Sequence, residues 1–341
     1  MRRYYCSNCA NEIHFENSNC LQCGFELEYQ VWIDQFAALP AASAAALGAG
    51  QAVACNNRAA IGCNWFVSPQ SQSGFCESCE HTLIIPDLSA NQNLERWAKL
   101  ERAKRLLFYS LSKFKLPVSA DKGLAKPLRF EFKADLFEIG GKKTEVITGH
   151  NDGVITINIS EADDDVREQH RVALGEPYRT LVGHFRHEIG HYYWERLVAS
   201  SGKLESFRSM FGDERNDYGE ALRRHYDNGP PPQWNMNYVS SYASSHPWED
   251  FAETWAHYFH IVDGLETAQS YHLGSGTALI AAVHSPYEAD NFAEIIGAWV
   301  PLTIAMNAMN RSIGNHDFYP FVLSQAISEK LEFVHHLIHR H

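Results

Sequence analysis

The order of apolar and polar residues along the chain predicts helices and short strands of an α+β fold. Apolar residues recur at helical spacing in residues 93–116, so we predict a helix that ends before Pro117. Residues 128–134 alternate apolar and polar side chains, as a half-buried strand does. Residues 144–160 predict two further strands around a turn at residues 150–153, because an Asp-Gly pair favours a tight hairpin turn.

Two stretches in the middle of the chain have contrasting patterns. Residues 181–197 are apolar and aromatic on several faces, which predicts a buried helix. Gly190 lies within it, and a helical glycine costs about 1 kcal/mol relative to alanine. We therefore expect another chain segment to approach closely at Gly190. Residues 212–234 are polar and end in three prolines, which predicts a loop over the surface.

The last third of the chain is mostly helical in pattern. Pro247 suits the first turn of a helix, and the acidic side chains of Glu249 and Asp250 in that turn suit the helix dipole. Residues beyond 262 are mostly apolar at helical spacing, with a turn at residues 312–317. These patterns predict a helical C-terminal half.

Composition and charge narrow the class of protein. The chain is 45% hydrophobic and 21% charged, as soluble globular proteins are. No run approaches about 18 apolar residues, and the N-terminal residues lack an apolar core, so we expect no membrane span, no signal peptide and a cytoplasmic location. The net charge of −12 argues against general attraction to nucleic acid or membranes. Residues 95–143 are the exception, with 13 Lys and Arg against six Asp and Glu, and we expect the basic side chains of the predicted helix to form a solvated face.

All eight cysteines lie within the first 79 residues, in two groups of four. The first group consists of two C-x-x-C pairs that can present four thiolates to one tetrahedral zinc ion: Cys6, Cys9, Cys20 and Cys23. The second group is less regularly spaced but ends in another such pair, and we predict a second four-thiolate zinc site: Cys55, Cys63, Cys76 and Cys79. The alternatives are a redox pair for the first group and buried free thiols for the second. We predict a zinc-ribbon region over residues 1–88.

The sequence His187-Glu188-Ile189-Gly190-His191 carries the candidate chemistry. On a helix, His187 and His191 share one face, where two neutral imidazoles can bind one zinc ion. Glu188 lies beside them and can act on a water molecule at the metal. We interpret His184 as a hydrogen-bonded neighbour, because a catalytic zinc ion keeps one position open for water. The alternative is a surface helix that carries histidines without binding a metal.

Two histidines leave a catalytic zinc ion short of one protein ligand. We choose Glu249, which follows His191 by 58 residues, and we expect Glu253, one turn later, to support a ligand histidine by a hydrogen bond. Other downstream carboxylates are alternatives to Glu249 as the ligand: Asp213, Glu214, Glu220, Asp250 and Glu253. Without the histidines, the pair Glu249 and Glu253 would be interpreted as capping of a surface helix.

HEIGH followed by a helix with the sequence E-D-F-A-E resembles the gluzincin class of metallopeptidases, whose third zinc ligand is a helical glutamate. Anthrax lethal factor has a similar segment with a tyrosine seven residues before that glutamate, and this resemblance implies that Tyr242 stabilises an oxyanion. More closely, GHFRHEIGHYYW, HPWEDFAETWAHY and the cysteine ribbons resemble a family of bacterial zinc-binding metallopeptidases with an N-terminal zinc-ribbon domain. The likeness implies a zincin-like domain over residues 89–341, mostly helical with a small sheet. In zincins a strand before the active-site helix pairs with extended substrate, and residues 154–159 are our candidate for it.

These observations predict a zinc metallopeptidase with one catalytic and two structural zinc ions, acting on a peptide or protein substrate. Zinc lowers the pKa of its water from 15.7 toward about 7, Glu188 acts as the general base, and Tyr242 donates to the oxyanion. One alternative is a zinc-ribbon adaptor that binds a protein partner without catalysis, and Glu188 argues against it. The other is a nucleic-acid-associated factor. Residues 1–90 hold three Arg against eight Asp and Glu, which argues against binding of nucleic acid by the ribbons.

Overall fold

The computed structural model describes residues 1–40, 53–90, 92–119, 126–137, 143–167, 180–273 and 285–340. The fold is α+β, mostly helical with small sheets, which confirms the predicted fold class. The chain forms two compact units, Met1–Val166 and Arg167–His341. The boundary predicted between residues 88 and 89 falls inside the first unit and stays a prediction.

The described part of the first unit contains short strands and helices. The strands are β1 (Tyr4–Tyr5), β2 (Glu12–Ile13), β3 (Glu26–Gln30), β4 (Gln35–Leu39), β5 (Val53–Ala54), β6 (Phe66–Val67), β7 (Thr82–Ile84), β8 (Arg129–Lys133), β9 (Leu136–Phe137), β10 (Lys143–Thr144), β11 (Gly149–Asn151) and β12 (Val154–Asn158). The helices are α1 (Arg58–Ile61), α2 (Glu77–Glu80) and α3 (Asn93–Lys113), with a 3₁₀ turn at Ile159–Ala162.

The described part of the second unit is helical. Its helices are α4 (Leu181–Trp194), which continues as a π-helical segment (Glu195–Ala199), α5 (Leu204–Phe211), α6 (Tyr218–Asn228), α7 (Pro247–Ser270), α8 (Phe292–Ser312) and α9 (Gln325–His339). Short 3₁₀ turns lie at Trp234–Met236, Tyr242–Ser244 and Pro286–Glu288.

The largest sheet of the first unit has the strand order β11-β12-β8-β7. Asp152 and Gly153 both have positive φ, at 56° and 85°, as a tight hairpin turn between β11 and β12 requires. β12 pairs antiparallel with β11 on one side and parallel with β8 on the other. Because both of its edges are occupied, the prediction that this strand pairs with substrate is wrong.

Helix α3 begins and ends close to where the sequence predicts, but its basic residues differ from the prediction. Lys104 and Arg105 are buried rather than solvated. Lys104 donates to the equally buried carboxylate of Glu101 at 3.0 Å, which compensates its charge. On the same helix, Arg96 pairs with Asp163, which directly follows the 3₁₀ turn after β12. The basic run therefore contributes packing and ion pairs within the unit.

Helices α4 and α7 form the centre of the second unit. A Cβ atom added at Gly190 would lie 2.8 Å from Cα of Ala252, closer than real Cβ contacts come. The two helix backbones therefore meet at this point, and the close approach predicted at Gly190 is confirmed. Both helices are anchored at their starts: the Thr180 hydroxyl accepts from the Gly183 amide, and the His246 ring accepts from the Trp248 amide.

The polar run at residues 212–234 contains the 11-residue helix α6, so the prediction of a loop throughout is wrong. No residue of α6 is buried. The helix begins at an Asp217 cap, whose carboxylate accepts from the Glu220 amide at 2.7 Å. The helix has apolar residues at helical spacing, Tyr218, Leu222 and Tyr226, but the loop prediction rested on the polar composition and the three prolines of the run.

Among the described residues, one helix is long and apolar enough to cross a membrane by length and composition. This is α8, whose most apolar 18-residue window has a mean hydropathy of 1.4 and is 28% buried. One such helix is weak evidence, because helices of soluble proteins pass the same test. The expectation that the chain does not span a membrane stays a prediction.

Candidate metal centre

The second unit brings two histidines of α4 and one carboxylate of α7 to a common point. Nε2 of His187 lies 3.2 Å from Nε2 of His191 and 3.0 Å from Oε2 of Glu249. The other oxygen of Glu249, Oε1, lies 3.5 Å from Nε2 of His191. All three residues are buried. The structure thus assembles the two predicted histidines with the carboxylate chosen from the sequence.

The donor set fits a zinc ion. Ligand atoms about 2.0–2.1 Å from a tetrahedral zinc lie about 3.4 Å apart, which is close to the three distances here. Two imidazoles and one carboxylate supply three protein ligands and leave a fourth position open, as in hydrolytic zinc sites. The Oε2 atom of Glu249 is buried and forms no hydrogen bond to the described residues, apart from its ion-pair contact with His187.

Glu253 holds the ring of His187 from the opposite side. Nδ1 of His187 donates to Glu253 Oε1 at 2.7 Å, and the Ser240 hydroxyl donates to Glu253 Oε2 at 2.6 Å. The Ser240 hydroxyl also accepts from the Ala243 amide at 3.1 Å. Because Nδ1 carries the proton, the lone pair of Nε2 is directed at the cluster. Sequence analysis had not identified Ser240, which lies in an irregular segment before α7.

Glu188 lies beside the cluster and is buried. Nε2 of His184 donates to its Oε1 atom at 3.1 Å, so His184 is a hydrogen-bonded neighbour of the site. The Oε2 atom of Glu188 is buried and has no hydrogen-bond partner among the described residues. Burial raises the pKa of Glu188, but the hydrogen bond from His184 and the nearby imidazoles outweigh it and hold the pKa below its ordinary value. The carboxylate is therefore ionised with one oxygen available.

The charges of the cluster are strongly coupled. Burial lowers the pKa of His187, but hydrogen bonds to Glu249 and Glu253 outweigh burial and raise the pKa well above its ordinary value. The pKa of Glu249 is likewise lowered well below its ordinary value, because the two imidazoles outweigh burial. Two buried carboxylates around two imidazoles thus favour a positive charge at this point, as protons or as a metal ion.

Two tyrosines and a tryptophan surround the cluster. The ring of Tyr242 lies 5.9 Å from that of His187, and burial together with Glu249 raises the Tyr242 pKa well above its ordinary value, so the hydroxyl stays protonated. Trp248 packs on the His191 ring at 4.1 Å. Tyr218, the first residue of α6, donates from its hydroxyl to Glu249 Oε1 at 2.8 Å. Sequence analysis had not identified Tyr218, because the contact of this residue with Glu249 depends on tertiary packing that helical spacing does not show.

The alternative carboxylates lie in other ion pairs. Asp213 pairs with Arg215, which holds the pKa of Asp213 well below its usual range, and Glu214 pairs with Arg208. Glu220 is exposed. A further alternative, the buried Asp250, accepts from Lys330 Nζ at 2.6 Å, while burial raises its pKa to about 7. None of these four residues belongs to the group formed by His187, His191 and Glu249 in the described part of the chain.

The first unit holds the two predicted cysteine groups, and in each the sulfur atoms lie within 4.8 Å of one another. The shortest contacts are 3.6 Å, from Cys9 to Cys20 and from Cys63 to Cys76, far longer than a disulfide bond. Thiolates about 2.3 Å from a tetrahedral zinc ion lie about 3.8 Å apart, so both groups fit zinc. Gly24 follows the first group with a φ of 75°, which a glycine adopts without strain in the tight turn after a C-x-x-C pair.

A histidine pair one helical turn apart, completed by a carboxylate from a second helix, defines the class of metal site that zinc peptidases use. Residues 93–337 match the family described as "putative zinc-binding metallo-peptidase", and residues 3–90 match a zinc-ribbon domain. The chain belongs to this zinc-binding family, and the resemblance inferred from the sequence is confirmed.

Relatives and solved structures add little about activity. One relative from Mycobacterium bovis and two from Mycobacterium tuberculosis strains are each 43% identical over 340 residues, which cover 99% of this chain and 95% of theirs. All three are described as uncharacterized proteins. No solved structure matches the chain.

Proposed function

We propose that this protein is a zinc-dependent peptidase that hydrolyses peptide bonds at the cluster of His187, His191 and Glu249. The observation that carries the proposal is the convergence of the three donor groups next to Glu188, a buried carboxylate with one unpartnered oxygen. Burying an unsatisfied charged oxygen costs several kcal/mol. A purely structural zinc site has no need of such a group, so Glu188 favours catalysis over the adaptor alternative.

The chemistry divides between the metal and the chain. His187, His191 and Glu249 would hold a zinc ion, which would supply Lewis acidity and lower the pKa of a bound water from 15.7 toward about 7. Glu188 Oε2 accepts the proton of the attacking water and passes it to the leaving amine. His184 holds the other oxygen of Glu188, which orients the carboxylate. The protonated hydroxyl of Tyr242 donates to the developing oxyanion, and Glu253 keeps the His187 ring in place.

The roles of the cysteines belong to the same proposal. Each four-cysteine group holds one structural zinc ion, which gives three zinc ions per chain with the catalytic one. Arg105 is buried and lies close enough to Cys63 and Cys79 for electrostatic interaction, so it offsets the negative charge of the second group. We expect the ribbons to contact a protein partner.

The state of the cysteines bears on the cellular location of the protein, and the charge of its surface bears on whether it binds nucleic acid. Among the described residues all eight cysteines are free and grouped for metal binding, as expected of a cytoplasmic protein. The basic side chains of α3 are mostly buried or paired with carboxylates, which leaves little positive surface for nucleic acid. We infer a peptide or protein substrate from the match to a family of zinc-binding metallopeptidases.

The test is peptide-library cleavage read by mass spectrometry, with wild type and Glu188→Gln at equal zinc loading. Glutamine keeps the shape and hydrogen-bonding capacity of Glu188 but cannot accept the proton. We expect the variant to bind zinc and to lose nearly all hydrolysis, while Glu205→Gln, at an exposed position of α5, keeps wild-type activity. Tyr242→Phe should lose about a hundred- to a thousand-fold in rate, the effect of one oxyanion donor.

The outcomes separate the candidate functions. Cleavage that survives Glu188→Gln unchanged would assign the activity to a contaminant or another site. Absence of cleavage by every form, across a broad library, would favour the adaptor function. A salt titration of DNA and RNA binding addresses the nucleic-acid alternative, because binding through phosphates weakens steeply with salt.

A further inference from the structure

Tyr218 makes the two oxygens of the Glu249 carboxylate different from each other. Its hydroxyl donates to Oε1 at 2.8 Å, whereas Oε2 faces Nε2 of His187 at 3.0 Å. Glu249 is 1% exposed, so little water is available to replace the tyrosine as a donor to Oε1. Oε1 is thereby held by the phenol, at 3.5 Å from Nε2 of His191, while Oε2 is directed at His187.

The position of Tyr218 is fixed by two residues that precede Glu249 at the start of α7. Its ring packs edge-on against His246 at 5.2 Å and Trp248 at 6.0 Å, at the start of α7. His246 Nε2 also donates to the Asn216 carbonyl at 3.1 Å, which ties the chain before Tyr218 to the same point. The phenol is therefore held in place before any metal binds.

We propose that Tyr218 is a positioning residue that orients Glu249 as a one-oxygen ligand, with Oε2 toward Nε2 of His187. The inference rests on the proposed function for the role of Glu249 as a metal ligand. An ionised ligand carboxylate is free to rotate about its last torsion angle and to bind through either oxygen or both. A hydrogen bond to Oε1 removes that freedom and leaves the remaining coordination position to water and substrate.

The ring and the hydroxyl of Tyr218 can be separated experimentally. The ring makes the contacts with His246 and Trp248, and phenylalanine keeps them. Tyr218 is 39% exposed, so Tyr218→Phe opens no buried cavity. Tyr271→Phe is the matched control, because Tyr271 is 42% exposed and caps the opposite end of the Glu249 helix.

The experiment measures metal binding directly. Zinc that 1,10-phenanthroline removes is titrated back by chelator competition, and Co²⁺ is then bound at the same site for visible absorption spectra. For Tyr218→Phe we expect a 10–100-fold loss of zinc affinity, as for other groups that support a ligand. We also expect altered Co²⁺ d–d bands, since a reoriented carboxylate changes the coordination geometry. Tyr271→Phe should match wild type, and both variants should keep the cysteine-bound zinc and far-UV circular dichroism of wild type.

The possible outcomes distinguish the positioning role of Tyr218 from the proposed function. Zinc affinity and Co²⁺ spectra of Tyr218→Phe equal to those of wild type would overturn the positioning role and leave the proposed function intact. Weaker binding with an unchanged Co²⁺ spectrum would also overturn it, since a general structural effect lowers affinity without changing the geometry. If wild type binds metal through Glu249 but cleaves no peptide, the peptidase proposal is overturned. The positioning role of Tyr218 is then supported by weaker zinc binding and altered Co²⁺ bands in Tyr218→Phe. Wild type with no metal at this cluster would overturn both.

Discussion

Nδ1 of His187 donates to Oε1 of Glu253 at 2.7 Å, across the interface between α4 and α7. This bond fixes the tautomer of the ring and turns Nε2 toward His191 and Glu249. Glu249 and Glu253 are one turn apart on α7, yet they contact opposite nitrogens of the same imidazole. The spacing of four residues therefore places Glu249 at Nε2, where the candidate ligands converge, and Glu253 at Nδ1.

The two glutamates should differ when each is replaced by alanine. Glu249→Ala removes a direct ligand and leaves two histidines, so we expect zinc to be lost from this cluster at equilibrium with a weak chelator. Glu253→Ala leaves all three ligand groups and should cost about 10–100-fold in affinity. Metal analysis after dialysis distinguishes the two, and exposed Glu205→Ala serves as the control. Zinc that stays in Glu249→Ala but leaves Glu253→Ala would exchange their roles.

Gly190 is required by the packing of α4 on α7. In Gly190→Ala the new Cβ would lie 2.8 Å from a backbone atom of Ala252, so the helices must move apart. Overpacking of this kind costs about 1–3 kcal/mol, which outweighs the roughly 1 kcal/mol that alanine gains in a helix. We expect a lower thermal unfolding midpoint and weaker zinc binding, because the histidines and Glu249 lie on opposite sides of this contact.

Gly297→Ala is the matched control for that substitution. Gly297 is also helical, in α8, but nothing lies within 4 Å of its added Cβ. We expect Gly297→Ala to raise the unfolding midpoint, by the difference in helix propensity alone. Equal stabilisation by both variants would mean that α4 and α7 can separate at Gly190 without cost.

Sequence reasoning located the parts of the site that depend on local geometry. His187 and His191 share a helix face because of the helical repeat, which depends on no other part of the chain. The position of Glu249 beside the histidines depends on a tertiary contact between α4 and α7. Glu249 was chosen because it lies in the first turn of a predicted helix and because that segment resembles the gluzincins. Tyr218 and Ser240 were not found. The apolar spacing of α6 indicates a helix but not which residue Tyr218 contacts, and the irregular segment of Ser240 has no periodic pattern.

The fold was predictable to a similar extent. The hairpin at Asp152 and Gly153 and the helix α3 follow from local turn chemistry and periodicity. The neighbours of β12 are set by pairing with β8, which is distant in sequence, so an inner strand was mistaken for a substrate-binding edge. Burial of Lys104 was missed for the same reason, since its partner Glu101 is buried by packing that charge patterns do not show.

The zinc content of the protein tests whether the two cysteine groups bind metal, whether or not the protein is catalytically active. We expect about three zinc ions per chain by elemental analysis, two held by thiolates and one by the α4 and α7 cluster. Cys63→Ser should remove one zinc ion and destabilise the first unit, because Cys63 is fully buried among the sulfur atoms of its group. The exposed Ser7→Ala should keep all three. A count near one, with eight thiols titrating freely, would contradict the assignment of both groups.

Acid should destabilise the second unit through His257. Burial lowers the pKa of this histidine from 6.5 to about 4, against the opposing charge of Glu253, and its Nδ1 is hydrogen bonded to the Tyr319 hydroxyl at 2.9 Å. The unfolded chain therefore binds a proton near pH 6.5 that the folded protein does not bind until about pH 4. The contribution of His257 to the free energy of unfolding is fully present above pH 6.5. It is lost as the pH falls from 6.5 to about 4, by at most about 3 kcal/mol.

His257→Asn tests this pH dependence, because asparagine keeps a polar group for Tyr319 and does not titrate. Urea unfolding is measured between pH 4 and 7 on protein from which phenanthroline has removed the metal, so that acid release of zinc from the cluster does not contribute. We expect the variant to be less stable at pH 7, since it loses packing, but to have a shallower dependence of stability on pH than wild type. His336→Asn, at an exposed histidine of α9, should keep the wild-type slope. Parallel curves for His257→Asn and wild type would show that His257 is protonated to the same extent in the folded and unfolded chain.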